Sequence, residues 1–197
     1  MKKVYIVLAH TGTILSRIIK IVTGAEYTHA SIALDEELDQ MYSFGRKYSY
    51  IAFIGGFVKE GNTFGTFKRF YNTEISVYEL EVTNEQYEKV CERIEYVKQH
   101  KDEYKFNILG LALAAINKKT YREKTYYCAE FVRAVLEKSG ISTKKLPKVI
   151  KPEHFKELDG VKLIYKGLFK TYKNRIKNQE FIEYLSFLFA KKNYSNY

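Results

Sequence analysis

The sequence predicts an α+β protein in which a small antiparallel sheet packs with helices. Two observations predict this. Short β-branched apolar runs and one hairpin occupy the chain up to Val82, and amphipathic helical periodicity follows it. The order is helix, hairpin, strand and then helices, not the regular strand–helix alternation of a doubly wound sheet.

The elements follow in order. Val4 to Ala9 is a buried strand, broken by Thr11-Gly12-Thr13. Ile14, Leu15, Ile18, Ile19 and Val22 recur at helical spacing, and Gly24 stops that helix. A second strand covers His29 to Leu34, the acidic turn Asp35 to Asp39 follows, and a third strand covers Gln40 to Gly45. Residues 46–74 are aromatic and glycine-rich and carry no clear period. Ile75 to Val82 alternates as a strand. Thr83-x-x-Gln86 is a capping-box pattern opening a helix to about His100, with Tyr87, Val90, Cys91, Ile94 and Val97 on its core face. Asn107 to Ile116 is almost wholly apolar and reads as a buried helix. A further helix begins near Cys128 and ends at Gly140, with Phe131, Val132, Val135 and Leu136 inward. Pro152 suits the first turn of a short helix, and Val161 to Tyr165 suits a last strand. The expected division is a domain of residues 1–165 and a C-terminal helical extension, 166–197, first basic and then apolar.

Composition limits the function. The chain has 197 residues, 46% of them apolar, enough for one sizeable core. Its net charge of +10 invites a nucleic-acid reading. However, residues 166–197 hold seven basic and two acidic side chains, and elsewhere the signs are interspersed as on an ordinary solvated surface. That distribution argues against nucleic acid. The apolar run before His10 is too short for a secretory signal, and no stretch approaches a membrane span, so a cytoplasmic protein is expected. Two cysteines, scattered histidines and no Cys-x-x-Cys pair give no metal site, and no cofactor is expected.

Cys128 stands where an apolar helical pattern begins. A helix start offers free N–H groups and partial positive charge, which favour a thiolate and can hold an oxyanion. The same spacing also fits a first core residue. On the second strand, Ala30, Ile32 and Leu34 face the core, so His29 faces a cleft or solvent with Ser31 and Ala33. A five-residue turn at Asp35 to Asp39 pairs Leu34 with Gln40 and Ser31 with Ser43. Ser43 then lies beside His29 and could hold the second imidazole nitrogen. His10 could border the cleft. Cys91 reads as core, His100 and His154 as surface residues, and Glu130 as a structural carboxylate in the first helical turn.

The stretches Tyr27-Thr28-His29-Ala30-Ser31-Ile32-Ala33-Leu34 and Tyr126-Tyr127-Cys128-Ala129-Glu130-Phe131-Val132, in this order, resemble the permuted NlpC/P60 papain-like cysteine hydrolases. These are amidases and peptidases of the YiiX and YebB type, with lecithin:retinol acyltransferase a more remote branch. The resemblance implies a circularly permuted papain-like fold over residues 1–165 and a thiol hydrolase with Cys128 as nucleophile, His29 as base and Ser43 as orienter. Members often carry Glu or His in that third place, and Cys-Ser-Glu where this chain has Cys-Ala-Glu. The implied substrate is a small peptide-like amide or an acyl compound. Transfer of the acyl group to a lipid-type acceptor, or a non-catalytic binding module, are the alternatives. The extension, 166–189, could dock on the domain or meet a membrane surface.

Overall fold

The computed structural model describes residues 1–10, 24–46, 55–61, 67, 72–118, 120 and 122–194. The helix expected over residues 14–22 lies outside them. The described chain is α+β. Six antiparallel strands form one sheet in the order β4-β3-β2-β1-β5-β8, from β1 (Lys2–His10), β2 (His29–Ala33), β3 (Met41–Arg46), β4 (Gly55–Glu60), β5 (Glu74–Val82) and β8 (Val161–Leu168). Two short strands, β6 (Lys105–Phe106) and β7 (Thr125–Tyr126), pair separately in parallel. Four helices are α1 (Asn84–Gln99), α2 (Ile108–Ala115), α3 (Cys128–Lys138) and α4 (Phe169–Tyr194), with a 3-10 turn at Pro152–Glu157.

β1 is the apolar spine of the sheet, pairing with β2 on one side and β5 on the other. Its alternation feeds two cores. Val4, Ile6 and Leu8 join the larger core, with Ala30, Ile32 and Phe44 of the sheet and the inner stripes of α1 and α3. Tyr5, Val7 and Ala9 join a smaller core on the opposite face, closed by Phe169, Tyr172 and Ile176 of α4.

The hairpin has the expected register: Leu34 N–H donates to Gln40 O at 3.1 Å, and Ile32 faces Tyr42. Asp35 closes the turn by accepting from Gln40 N at 3.0 and 3.2 Å. The start of α4 clasps that turn. Tyr172 Oη donates to Glu36 O at 2.8 Å, and Lys173 Nζ donates to Glu37 O and to Asp39 at 2.7 Å. Thus residues 166–168 belong to β8, and the first turns of α4 are part of the folded body.

α1 opens on the capping box: Gln86 N donates to Thr83 Oγ1 at 3.1 Å and Thr83 N to Gln86 Oε1 at 3.0 Å. Its buried stripe, Val90, Ile94 and Val97, is narrower than expected. Cys91 sits at the edge of the stripe and is half-buried, which corrects its reading as core. α2 also departs from expectation. Only Gly110 and Ala114 are buried, while Ile108, Leu109 and Ile116 are 40%, 47% and 58% exposed. A helix packed on one side buries one face, however apolar the other is.

Phe44 locks β3 to α3. It is fully buried, and its ring meets those of Phe57, Tyr104, Tyr126 and Phe131 at centroid distances of 5.0–6.2 Å. Aromatic burial of this kind is worth several kcal/mol. Phe44→Ala should lower the unfolding free energy by about 3–5 kcal/mol in a urea titration. A loss under ~1 kcal/mol would show that this cluster does not hold sheet and helix together.

Candidate active site

Three neighbouring strands at one edge of the sheet build the basic half of the site. In β2, His29 shares a face with Ser31 and Ala33; the matching positions are Ser43 and Met41 on β3, and Val58 and Glu60 on β4. Extending the β2–β3 register puts Gly45 opposite His29. A Cβ on Gly45 would stand 3.5 Å from His29 Cε1, an ordinary contact, so the imidazole lies over this position.

The imidazole is held by Glu60. His29 Nε2 lies 3.1 Å from Oε1 and 3.0 Å from Oε2. Ser31 Oγ donates to Oε2 at 2.6 Å. Glu60 is 1% and His29 13% exposed. Burial disfavours the Glu60 carboxylate, but the His29 charge and the hydrogen bonds it receives outweigh this, and it titrates below the usual glutamate range. Burial likewise disfavours a charged His29. The Glu60 carboxylate and the Cys128 side chain outweigh it, and His29 is pushed up to about 10.

Cys128 is the first residue of α3, extended Tyr127 (φ −95°, ψ 174°) being its N-cap. The cysteine is buried in the larger core, on the face opposite that of His29. His29 is the first residue of β2, and the Cys128 side chain comes near enough to favour its protonated form. Such contacts commonly align fully only when substrate is bound.

A second polar network fixes the helix start. Glu130 Oε2 accepts from Tyr127 N at 3.2 Å and from Asn107 Nδ2 at 3.1 Å. Asn107 also caps α2, its Oδ1 accepting from Gly110 N at 2.8 Å. A Cβ at Gly110 would lie 2.1 Å from Asn107 Nδ2, so glycine is what admits this cap. The N–H of Cys128 is among the first-turn donors that a helix leaves without an intrahelical partner.

Beside the pair lies a small groove of roughly 30 Å³, walled by Tyr27, Thr28, Leu111, Ala114, Tyr127 and Ile150 among others. Thr28 and Tyr127 each immediately precede a member of the Cys–His pair.

The structure therefore joins His29 and Cys128 but corrects the third position. Glu60, not Ser43, orients the imidazole. Ser43 has the expected strand position, yet its hydroxyl makes no hydrogen bond to the ring. Buried and without a hydrogen bond of normal geometry, it helps keep Glu60 ionised. Glu60 falls in the stretch without a readable period. Of the remaining histidines, His10 lies one residue beyond Ala9, the pairing partner of His29. His100 stacks on Tyr96 at 4.2 Å, His154 Nδ1 accepts from Lys151 N at 3.0 Å, and His10 ends β1. Both cysteines are free thiols. Among the described residues no cluster of His, Cys, Asp and Glu could hold a metal ion, and no helix is long and apolar enough to cross a membrane. No family model matches the chain, and no curated protein matches it in sequence.

The ion pair makes stability depend on pH. His29 stabilises the fold in full below its ordinary value of 6.5, and that contribution is lost as pH rises toward about 10. Glu60 contributes above its ordinary 4.5 and loses its contribution as pH falls through its lowered value. Unfolding free energies measured from pH 6 to 10 should therefore fall more steeply in the wild type than in His29→Asn. Parallel curves would mean that His29 carries no raised proton affinity.

Proposed function

We propose that this protein is a cysteine hydrolase of the permuted papain-like type, acting on amide bonds of small peptide-like substrates. The observation that carries the reading is the constellation Cys128–His29–Glu60: nucleophile at a helix start, base against it, carboxylate behind the base. Glutamate in the third position also removes the main departure from the NlpC/P60 resemblance.

The thiolate is the attacking form. Sulfur adds to the substrate carbonyl, and the Cys128 N–H and the start of α3 stabilise the oxyanion. As the intermediate collapses, His29 gives its proton to the leaving amine, and the acyl group remains on sulfur as a thioester. His29, now neutral, takes a proton from water, which attacks the thioester and releases the acid and the thiol. Glu60 keeps the ring oriented and carries the opposite charge whenever it is protonated.

The groove supports a second reading. Its walls are mainly apolar, and an alcohol or amine in place of water would make the same thioester an acyl-transfer intermediate.

Exposure and chemistry make opposite forecasts for the two thiols. Cys91 is the more exposed, but burial pushes its thiol up. Iodoacetamide at neutral pH should label Cys128 first, as read by peptide mass spectrometry, and His29→Ala should slow that labelling. In turnover of activated esters, Cys128→Ala should abolish activity. Glu60→Gln should lower kcat by about 10²–10⁴-fold, while Ser43→Ala should cost far less. Faster labelling of Cys91, or full activity in Cys128→Ala, would sink the assignment.

A further inference from the structure

α2 contains no charged or polar side chain, and only one of its faces is covered. Leu111, Ala114 and Ala115 turn inward to wall the groove beside the Cys–His pair. Ile108, Leu109, Ala112 and Ile116 turn outward in one helical stripe and are exposed. The helix ends sharply: Asn117 takes a left-handed φ of 57°, and Lys118 N donates back to Leu113 O at 2.8 Å. The stripe is therefore a formed surface. Such apolar patches on folded domains mark places where something docks.

Charge identifies the occupant. Residues 105–124 hold five basic side chains and one acidic one. Lys105 precedes the helix and Lys118 follows it, both exposed, with Arg122 and Lys124 exposed further along. Lys124 pairs with Glu103 at 2.5 Å. Apolar side chains between cations fit a surface that offers hydrocarbon beneath negative headgroups. We propose that the outer face of α2 docks on an anionic lipid membrane, with Ile108, Leu109 and Ile116 entering the headgroup boundary and the flanking lysines meeting lipid phosphates. The docked surface lies against the wall of the groove, so the site opens beside the lipid. This goes beyond the hydrolase reading and does not depend on it.

The test uses the full-length protein and sedimentation with vesicles of phosphatidylcholine, with or without phosphatidylglycerol. Wild type should pellet with the anionic vesicles, less so as salt rises. Leu109→Glu/Ile116→Glu should weaken that partition by about tenfold or more at an unchanged melting temperature. If the glutamates impair folding, Leu109→Ser/Ile116→Ser serves instead. Phe181→Glu/Ile182→Glu, at exposed apolar positions of α4, should bind as wild type, as should Cys128→Ala. Binding that survives the α2 changes, or is lost only with the α4 pair, overturns the proposal. So does no vesicle binding at all, including the case where the α2 changes merely dissolve a dimer.

Discussion

Glu60 is a carboxylate with almost no access to water, and the neighbouring strands are arranged to keep it charged. An isolated buried carboxylate costs several kcal/mol, and removing one member of a buried pair commonly costs about 3–5 kcal/mol. Here the imidazolium of His29 and the hydroxyl of Ser31 meet it directly. Those partners lie on β2, two strands away from β4, so the contact passes over Ser43 and Gly45 on β3. The small side chains of β3 are what make that span possible. A slip of one residue between these strands would send Glu60 to the other face and strand both charges. Sheet register and site geometry are thus one constraint.

Cys128 is held by a different set of forces. The rings around Phe44 set how closely α3 approaches the sheet, and the Asn107–Glu130–Tyr127 network sets where its first turn begins. These meet the ion pair only at the contact between Cys128 and His29. His29 and Glu60 are therefore placed by strand pairing, and Cys128 by helix packing and capping.

The two halves also differed in how readily the sequence disclosed them. The Asp35–Asp39 turn has a defined length, so it determined the pairing of β2 with β3 and the face on which His29 lies. The helix at Cys128 was legible from its apolar stripe and the polar residues before it. Glu60 was not, because a glutamate in Phe57-Val58-Lys59-Glu60 looks like a solvated strand end. Only the distant partners His29 and Ser31 explain its burial. Ser43 was placed on the correct face, but facing is not contact, and its hydroxyl makes no hydrogen bond to the ring. For α2, composition indicated apolar surroundings, and nothing local told one covered face from two.

The interval between the site's parts along the chain has a consequence for how the molecule assembles. His29 and Glu60 are 31 residues apart and belong to a local meander, β2–β3–β4, that can pair early. Cys128 emerges only after β5 and α1, and β8 still later completes the far edge beside β5. Pairing over such separations is slow, because loop-closure entropy precedes the contacts that offset it. A newly made chain would thus carry its acid–base pair on an unroofed, hydrated sheet before any thiol reaches it. The approach of Cys128 to His29 would come only as the last helices settle, a late report on completed folding.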